Sequence, residues 1–498
     1  MGRHRFPAWL FVGLACVWAG TMLAEAYVLY TSTPFTPAGA HRVVSSLSRS
    51  HNVLVSVILV SVALAIPITA SHYTPKLLRI FLADRIHIAV LTTYALAAVH
   101  ANTVLFLTRH GHVSEWLVLT VVLTMGVGFV MVVPYFFYVI WFLEPTTLIR
   151  RIRQLGVHAL SMPRGSPKQL EEAREVLSNS IQNLGSLVLK LVDGLARQSA
   201  ASGVLALRQL LAEYGRVKDQ MPVEWFAATR SEFRGLSRDA LQFISADRCW
   251  VEIVALHDLT RVFDASLKRM PDAVVSIADT LRGIGVDALR RDDARVFENV
   301  LRCFNALIRS AITHRKPHAV FDVNTQYQAL AEECMTQWPH QSVDVARYMR
   351  SYSALARQSG LVFIPELFLY DAGALLTTAV DADSAAVPGI LSEVLSLTRK
   401  LSESPTVPGA CAALVTYGSV VDTLAAEQAE AFAEQIEELP DAILVAGFQV
   451  LDATVTPRYH ELTARQVDLN FLPPQQVEIL RARFVDRTPA ARPEQAAN

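Results

Sequence analysis

The hydrophobic positions of this chain are concentrated near its N-terminus. Long apolar runs cover residues 8–30, 53–70, 87–108 and 116–142, and few charged side chains interrupt them. A helix rises about 1.5 Å per residue, so about 20 residues cross a hydrocarbon core about 30 Å thick. The first run is longer than the core of a secretory signal. The pattern therefore predicts a transmembrane domain over residues 1–153 with four spanning helices.

Behind the fourth run the pattern changes to that of amphipathic helices. Residues 154–167 contain glycine, proline and serine and predict a linker, and apolar residues then recur at helical spacing over residues 168–485. No fixed repeat period is visible. The chain is therefore predicted to be all-α: a four-helix transmembrane bundle, then a large helical cytoplasmic domain that is either a bundle or an irregular solenoid. A disordered tail is expected at residues 486–498.

Local signals predict where the helices of this second region begin and end. Ser166 followed by Pro167 is a helix start, and Pro317 and Gly283 are among the predicted breaks. Residues 442–455 are the one stretch in which a strand competes with a helix, because β-branched and apolar residues are frequent there.

Basic residues in the short connections predict the orientation, because Lys and Arg in short loops stay on the cytoplasmic side. If the N-terminus is inside, the inner connections hold Arg3, Arg5, Lys76, Arg79, Arg85, Arg150, Arg151 and Arg153, and the outer ones hold Arg42, Arg49 and Arg109. We therefore expect a multi-pass inner-membrane protein with both termini in the cytoplasm.

The link between the second and third runs, residues 70–85, carries the strongest local signals. A Thr-Pro pair is a helix start, since the hydroxyl caps free amides and proline needs no hydrogen-bonded amide there. Basic residues behind it would point at lipid headgroups while leucines face apolar surroundings. The predicted membrane-interface site consists of Thr74, Pro75, Lys76, Arg79, Asp84 and Arg85.

An Ala-Ser pair, an aromatic residue, a Thr-Pro pair, a basic residue, two leucines and an Asp-Arg pair follow one another in this link. This order resembles a bacterial family of predicted four-span membrane proteins, domain-of-unknown-function family 2254. The likeness covers mainly residues 53–153. Residues 191–197 are similar to a cytoplasmic segment of the family, but its following Ser-Pro-x-x-Asn-Asp-Pro run is replaced here. The family's activity is unassigned, so the resemblance implies a membrane architecture and no reaction.

Three side chains form a possible intramembrane polar site: Glu25, His87 and His100. The two histidines are separated by about 20 Å along one helix, a spacing that transmembrane bis-histidine haem sites use. The other runs have no interior histidine to complete such sites, so we expect buried polar contacts instead. Glu25 could line an ion path or pair with an arginine, and solvation near the outer interface is the simpler expectation. No cofactor is expected.

Composition and motifs give no sign of a reaction. The net charge of −1 gives no basic field for nucleic acid, and the five cysteines are scattered. His314 and His318 are four apart, but Arg315, Lys316 and Pro317 between them oppose a zinc site. No phosphate loop or nucleophile motif is present in the sequence. We expect no catalytic or metal-binding residues and no enzyme activity.

Size and pattern together favour a scaffold or sensor that couples the four-span bundle to cytoplasmic partners. The alternative is a homo-oligomeric ion channel or transporter, since four spans of one subunit line a pore only weakly. The partners expected are the lipid bilayer, further copies of the chain and a cytoplasmic protein. Nucleic acid is not expected.

Overall fold

The structure, a computed structural model, describes residues 20, 36–72, 84–110, 115–229, 232–233, 235–459, 465 and 468–486. The chain divides into an N-terminal unit, Met1–Gln154, and a C-terminal unit, Leu155–Asn498. Every regular element among the described residues is helical, with 18 α-helices and two short 3-10 helices. The all-α prediction is confirmed.

Among the described residues of the N-terminal unit, three helices are long and apolar enough to cross a membrane. They are α1, Pro37–His72; α2, Arg85–Arg109; and α3, Glu115–Leu143. The predicted spans 87–108 and 116–142 lie within α2 and α3. The predicted span 53–70 lies within α1, which begins well before it, and Ala38–Val60 of the same helix is also long and apolar enough to cross a membrane. The first predicted span, 8–30, lies outside the described residues except for Gly20.

These three helices pack on one another through small and β-branched side chains. The core they share contains Ala40, Val44, Ala97, Ala101, Val104, Val118, Val121 and Met125. Small residues let spanning helices approach closely, which matters in lipid because no hydrophobic driving force acts between helices there.

A fourth helix, α4, spans Pro145–Ser161, and the boundary between the two units falls within it. Residues 154–161 of the predicted linker are therefore helical. Fourteen more helices follow in the C-terminal unit: α5 Pro167–Asp193, α6 Arg197–Val217, α7 Arg238–Ala246, α8 Trp250–Arg269, α9 Ala273–Arg290, α10 Ala294–Thr313, α11 Pro317–Glu333, α12 Pro339–Gln358, α13 Ile364–Asp381, α14 Val387–Ser402, α15 Val407–Val420, α16 Ala426–Glu437, α17 Asp441–Ala453 and α18 Pro474–Phe484.

The helices of the C-terminal unit stack in two rows. One row runs α5, α8, α10, α12, α14 and α16, and the other runs α6, α9, α11, α13, α15 and α17, with each helix packed on the next of its row. Sequential helices pair across the rows, for example α10 with α11 and α12 with α13. Of the two architectures left open by the sequence, this is the irregular solenoid, in which stacked helix pairs bury a continuous core.

Local sequence explains most helix starts in this unit, where a capping side chain or a proline in the first turn is present. Ser166 caps α5 by accepting a hydrogen bond from Gln169 N at 3.3 Å, with proline at the first helical position. The predicted break at Gly283 is wrong, because this residue lies inside α9. A Cβ there would overlap the Arg208 guanidinium, so the glycine permits a close crossing of α6 and α9. Residues 441–453 form α17 rather than a strand.

Candidate functional site

The buried positions of α2 lie on one stripe with alternating steps of three and four residues. They are His87, Val90, Tyr94, Ala97, Ala101, Val104 and Thr108. This is the spacing of a helix that packs along its length on neighbouring helices. The polar members of the stripe contact α1 and α3 at several levels and form what we call the polar seam of the N-terminal unit.

At one end of the seam, Asp84 joins three elements. Its Oδ1 caps α2 by accepting hydrogen bonds from Ile86 N at 3.1 Å and His87 N at 3.3 Å. The same oxygen accepts a hydrogen bond from the Tyr138 hydroxyl of α3. Its Oδ2 forms a salt bridge of 2.6 Å with Arg151 Nη1 of α4. One carboxylate therefore connects the start of α2, the end of α3 and the first half of α4.

Arg151 is held from several sides as well. Its Nη2 donates to the Tyr138 hydroxyl at 3.1 Å, and its guanidinium lies 4.1 Å from the centre of the Phe142 ring. Asp84 and Arg151 keep 14% and 24% of their side chains exposed. Burial would raise the pKa of Asp84, but the hydrogen bonds from Tyr138 and Arg151 outweigh it, and the pKa lies below its ordinary value. The pair is ionised at neutral pH.

The next level of the seam pairs His87 with α3. The His87 ring is buried, and its Nδ1 shares a hydrogen bond of 2.6 Å with the Tyr135 hydroxyl. The two rings stack with centroids 5.9 Å apart. The contact is a buried polar one, as sequence analysis expected for an intramembrane histidine.

A third level joins the described apolar helices α1, α2 and α3 through His51. Its Nε2 lies 3.1 Å from Tyr94 O, and since a carbonyl only accepts, Nε2 carries the proton. The Tyr94 hydroxyl donates to Gly128 O at 2.5 Å. A Cβ at Gly128 would lie 3.3 Å from the His51 ring, so glycine lets the two rings approach α3. His51 Nδ1 is buried and has no hydrogen-bond partner among the described residues.

Towards the other end of α2, three weaker contacts complete the arrangement. His100 Nε2 lies 3.1 Å from Thr120 Oγ1, Ser48 donates to Asn102 at 3.0 Å, and His41 Nδ1 lies 3.3 Å from Thr108 Oγ1. Such contacts are typical of polar side chains between spanning helices, where they fix helix register.

The structure separates the residues of the predicted intramembrane site. His87 contacts Tyr135, His100 contacts Thr120, and Glu25 lies outside the described residues. In the part of the chain that the structure describes, no group of three or more His, Cys, Asp or Glu side chains could hold a metal ion. Of the predicted interface site, Asp84 and Arg85 are described, and Thr74, Pro75, Lys76 and Arg79 are not.

Sequence reasoning missed most members of the seam. Aromatic residues near the end of a span are typical of a belt at the membrane interface, but Tyr135 and Tyr138 are buried between helices, whereas Phe136 and Phe137 are more than half exposed. The spacing of the two tyrosines, three residues apart, was the available signal, since it puts both hydroxyls on one face of α3. His51 gave no comparable signal.

The C-terminal unit also contains buried charges that the sequence did not reveal. Lys218 Nζ lies 2.8 Å from Glu252 Oε1 and 2.7 Å from Asp293 Oδ2, and only 8% of the lysine side chain is exposed. Burial would lower the pKa of Lys218, but the two carboxylates outweigh it and raise the pKa above its ordinary value. Elsewhere Arg465 pairs with the fully buried Asp371. Each cluster joins buried charges from segments that are distant in sequence.

The three apolar helices in the described part of the N-terminal unit are long enough to cross a membrane, which is consistent with membrane association. Residues 4–188 match the model of a family described as "Predicted membrane protein (DUF2254)". The resemblance noted in the link is thereby confirmed, over a longer stretch than its residues suggested, and the remainder of the chain has no family match. The match and the apolar helices together indicate a membrane location.

Comparison with curated proteins found no match. A solved structure described as "Circular tandem repeat protein with novel repeat topology and enhanced subunit contact surfaces" is similar, with 15% sequence identity and a TM-score of 0.35. The similarity covers 84% of this chain and 91% of the other. At that TM-score neither fold nor function is transferred.

Proposed function

We propose that this chain is a non-enzymatic membrane sensor or scaffold in which α4 couples the spanning helices to the helical unit. The observation that carries the proposal is the position of Arg151. This arginine lies on α4 and is bound by Asp84 and Tyr138, which belong to two different parts of the spanning bundle. A displacement of α2 against α3 would change both contacts of Arg151 and would therefore shift α4.

The second half of α4 also supports the proposal, because it packs closely against helices of the C-terminal unit. Gly156 of α4 is in close contact with α5 and α6, since a Cβ there would lie 2.9 Å from the Leu210 side chain and 3.1 Å from Ser180 Cβ. A helix held tightly at both halves transmits a shift or rotation better than a flexible linker does. The helical residues 154–161 therefore favour coupling over simple tethering.

The surface of the C-terminal unit supports a role in binding protein partners. Several large apolar side chains are strongly exposed there, among them Val223 at 80%, Phe243 at 71% and Val362 at 78%. Stacked helix pairs commonly offer extended binding surfaces, and exposed apolar residues mark candidate contact points. We place this unit in the cytoplasm and the spans in the inner membrane, because the basic connections predict that orientation. Homo-oligomerisation remains part of the proposal.

The scaffold role is tested by isolating tagged full-length protein from its native membrane and quantifying the proteins that accompany it. We expect a protein in stoichiometric amount whose recovery falls when Phe243 or Val362 is replaced by Glu and is unchanged by Lys268→Glu, a charge reversal on α8. Recovery of the same proteins with every variant would contradict the role. So would measurable turnover of a substrate by the purified chain.

A second function is favoured by one observation, the buried and unpartnered Nδ1 of His51 in the described part of the spanning bundle. A vacant acceptor among titratable side chains is a feature of proton and ion paths. In this alternative the chain is a homo-oligomeric channel or transporter. Reconstituted protein should then conduct ions, and His51→Ala, Glu25→Gln and His100→Ala should change the flux. Absence of flux, or flux that these variants leave unchanged, rules the alternative out.

A further inference from the structure

A buried carboxylate lies between two neighbouring helices of the C-terminal unit, α11 and α13. Asp371 of α13 is fully buried, and the Asn324 amide of α11 donates a hydrogen bond to its Oδ2. The two helices pack on each other within one row of the solenoid. Asn324 Oδ1 is also buried and has no hydrogen-bond partner among the described residues. The two helices therefore leave this polar group incompletely satisfied.

The cation that compensates Asp371 comes from outside these two helices. Arg465 forms a salt bridge with Asp371 Oδ1 through Nη1, and its Nη2 donates to Oδ2 at 2.8 Å. Its Nε donates to Thr325 Oγ1 at 2.9 Å, and its guanidinium carbon lies 4.9 Å from the centre of the Phe321 ring. A two-point contact, a third acceptor and an aromatic face together recognise a guanidinium rather than an ammonium. We call Phe321, Asn324, Thr325 and Asp371 the guanidinium pocket.

Arg465 lies on the connection between α17 and α18. This connection is 20 residues long, 454–473, and its described residues form no helix. Asp468 N donates to Pro457 O at 3.0 Å, which brings the two ends of the connection together. Long connections whose ends meet are frequently functional loops. The pocket is therefore built on packed helices, whereas its occupant belongs to a connection between helices.

The face of α11 beside the pocket carries more negative charge than Arg465 neutralises. Asp322 lies about one turn before Thr325, and Glu332 lies about two turns after it. Neither carboxylate forms a salt bridge with a described lysine or arginine, and burial raises the pKa of both. A further cation beside them would lower both pKa values. This surface therefore fits a ligand with more than one positive charge.

Stability alone does not explain a buried ion pair at this place. An apolar pair of similar volume commonly stabilises a core as well or better, because both charges lose their hydration. If the cation is removed, the carboxylate of Asp371 is left buried and uncompensated, which is strongly unfavourable. The pocket therefore requires a guanidinium, and a second arginine satisfies it as well as Arg465 does.

We propose that the guanidinium pocket binds an arginine side chain of a basic partner protein and that Arg465 occupies it as an internal competitor. Release of Arg465 exposes the pocket beside Asp322 and Glu332, and the arginine of the partner replaces the lost ion pair. The further positive charges of the partner then face these two carboxylates. The inference rests on the proposed scaffold role, because it states the chemistry of one partner, but it uses other residues than Phe243 and Val362.

Chemical rescue tests whether the pocket accepts a guanidinium from solution. Thermal midpoints of the full-length natural chain and of Arg465→Ala are measured in nanodiscs of zwitterionic lipid, with ethylguanidinium or with ethylammonium as the matched cation. We expect Arg465→Ala to lower the midpoint and ethylguanidinium to raise it again, because the probe fills the vacated pocket. Arg465→Ala combined with Asp371→Asn should gain nothing from the probe. If ethylguanidinium acts no better than ethylammonium on Arg465→Ala, the proposal is wrong.

Peptide binding tests the exchange itself. A fluorescent tetra-arginine peptide is titrated against the natural chain, Arg465→Ala and Arg465→Lys, and tetra-lysine serves as the control peptide of equal charge. Arg465→Lys keeps a cation at the pocket, so the comparison holds even if Arg465→Ala does not fold. We expect both variants to bind tetra-arginine at least about tenfold more tightly than the natural chain, because the internal competitor is weakened. Tetra-lysine should show no such gain.

Arg458→Ala is the matched control, since this arginine of the same connection is exposed. Its affinity for tetra-arginine should equal that of the natural chain. Equal affinity of the natural chain and both Arg465 variants would overturn the proposal. A natural chain that is dimeric and becomes monomeric in Arg465→Ala would also overturn it, since the pocket would then take Arg465 of a second copy. None of these results affects the recovery of partners through Phe243 and Val362, which tests the scaffold role separately.

Discussion

Asp84 combines three roles in a single side chain: helix cap, hydrogen-bond acceptor and ion-pair partner. The cap and the hydrogen bond use Oδ1, and the ion pair with Arg151 uses Oδ2. Because both partners are largely but not fully buried, each depends on the other to offset the loss of hydration. The lowered pKa means that this stabilisation is present at neutral pH and is lost only in acid, as pH falls below the ordinary value of 3.8.

Replacing Asp84 by Asn should destabilise the N-terminal unit. Asn can keep the helix cap, but it removes the charge that pairs with Arg151, and we expect a loss of about 1–2 kcal/mol after allowing for the partial exposure of the pair. Thermal unfolding in detergent or nanodiscs measures it. Glu144→Gln is the matched control, since this exposed carboxylate near α4 hydrogen-bonds only Thr146 among the described contacts. Equal effects of the two substitutions would show that the ion pair contributes nothing.

Asp258 of α8 provides a prediction of pH dependence. Burial raises the pKa of Asp258 from 3.8 to about 6, although Arg261 Nη1 lies 3.1 Å from its Oδ1. The folded state therefore holds a proton that the unfolded state releases, and this group makes stability fall as pH rises from about 4 to 6. The difference corresponds to about 3 kcal/mol over that interval.

Asp258→Asn should remove this part of the pH dependence. Melting midpoints measured between pH 4 and 7 should fall less steeply for the variant than for the natural chain, with Asp239→Asn as the control at an exposed aspartate. Parallel pH profiles for the natural chain and Asp258→Asn would mean that the carboxylate is not buried as described.

At the scale of elements, helices approach one another closely at glycines, because a glycine has no side chain to keep them apart. Gly185 of α5 lies against Asp258 of α8, and a Cβ at this position would be 2.6 Å from Asp258 Cγ and 2.7 Å from its Cβ. The aspartate side chain is short and cannot turn aside as a long one would. The contact between α5 and α8 therefore depends on the missing methyl group.

Gly185→Ala should cost about 1–3 kcal/mol, because the added methyl group forces the two helices apart. Gly165→Ala is the control: its Cβ would meet only Gln169 Oε1 at 3.7 Å, and no destabilisation is expected there. Thermal or denaturant unfolding of the two variants makes the comparison. Equal stability of Gly185→Ala and Gly165→Ala would show that α5 and α8 can accommodate a methyl group at position 185.

The elements were more predictable from sequence than their contacts. Long apolar runs located α2 and α3, and proline and serine signals located starts such as that of α5, because these signals are local. Gly283 was predicted to break a helix because glycine is a local break signal. Its actual role, making room for the Arg208 side chain, depends on a residue that is distant in sequence. The burial of Lys218 was likewise not predictable from local signals, because its partners Glu252 and Asp293 lie 34 and 75 positions away. The polar seam likewise depends on three helices meeting, which no single stretch encodes.

At the scale of the molecule, an N-terminal unit with three described apolar helices is followed by an irregular solenoid, and the boundary between the two units falls within α4. The family match ends within α5, so it covers the spans, α4 and most of the first solenoid helix. The coupling proposal concerns this same segment. Its central claim is that the contacts of Asp84 with Arg151 influence the part of α4 that lies in the C-terminal unit.

Hydrogen–deuterium exchange of full-length protein in nanodiscs tests that claim most directly. The natural chain, Asp84→Asn and Glu144→Gln are compared, and the amides of residues 155–161 in the second half of α4 are followed. We predict faster exchange of these amides in Asp84→Asn than in the natural chain and in Glu144→Gln. Unchanged exchange at residues 155–161, with any effect confined to the surroundings of Asp84 and Arg151, would contradict the coupling.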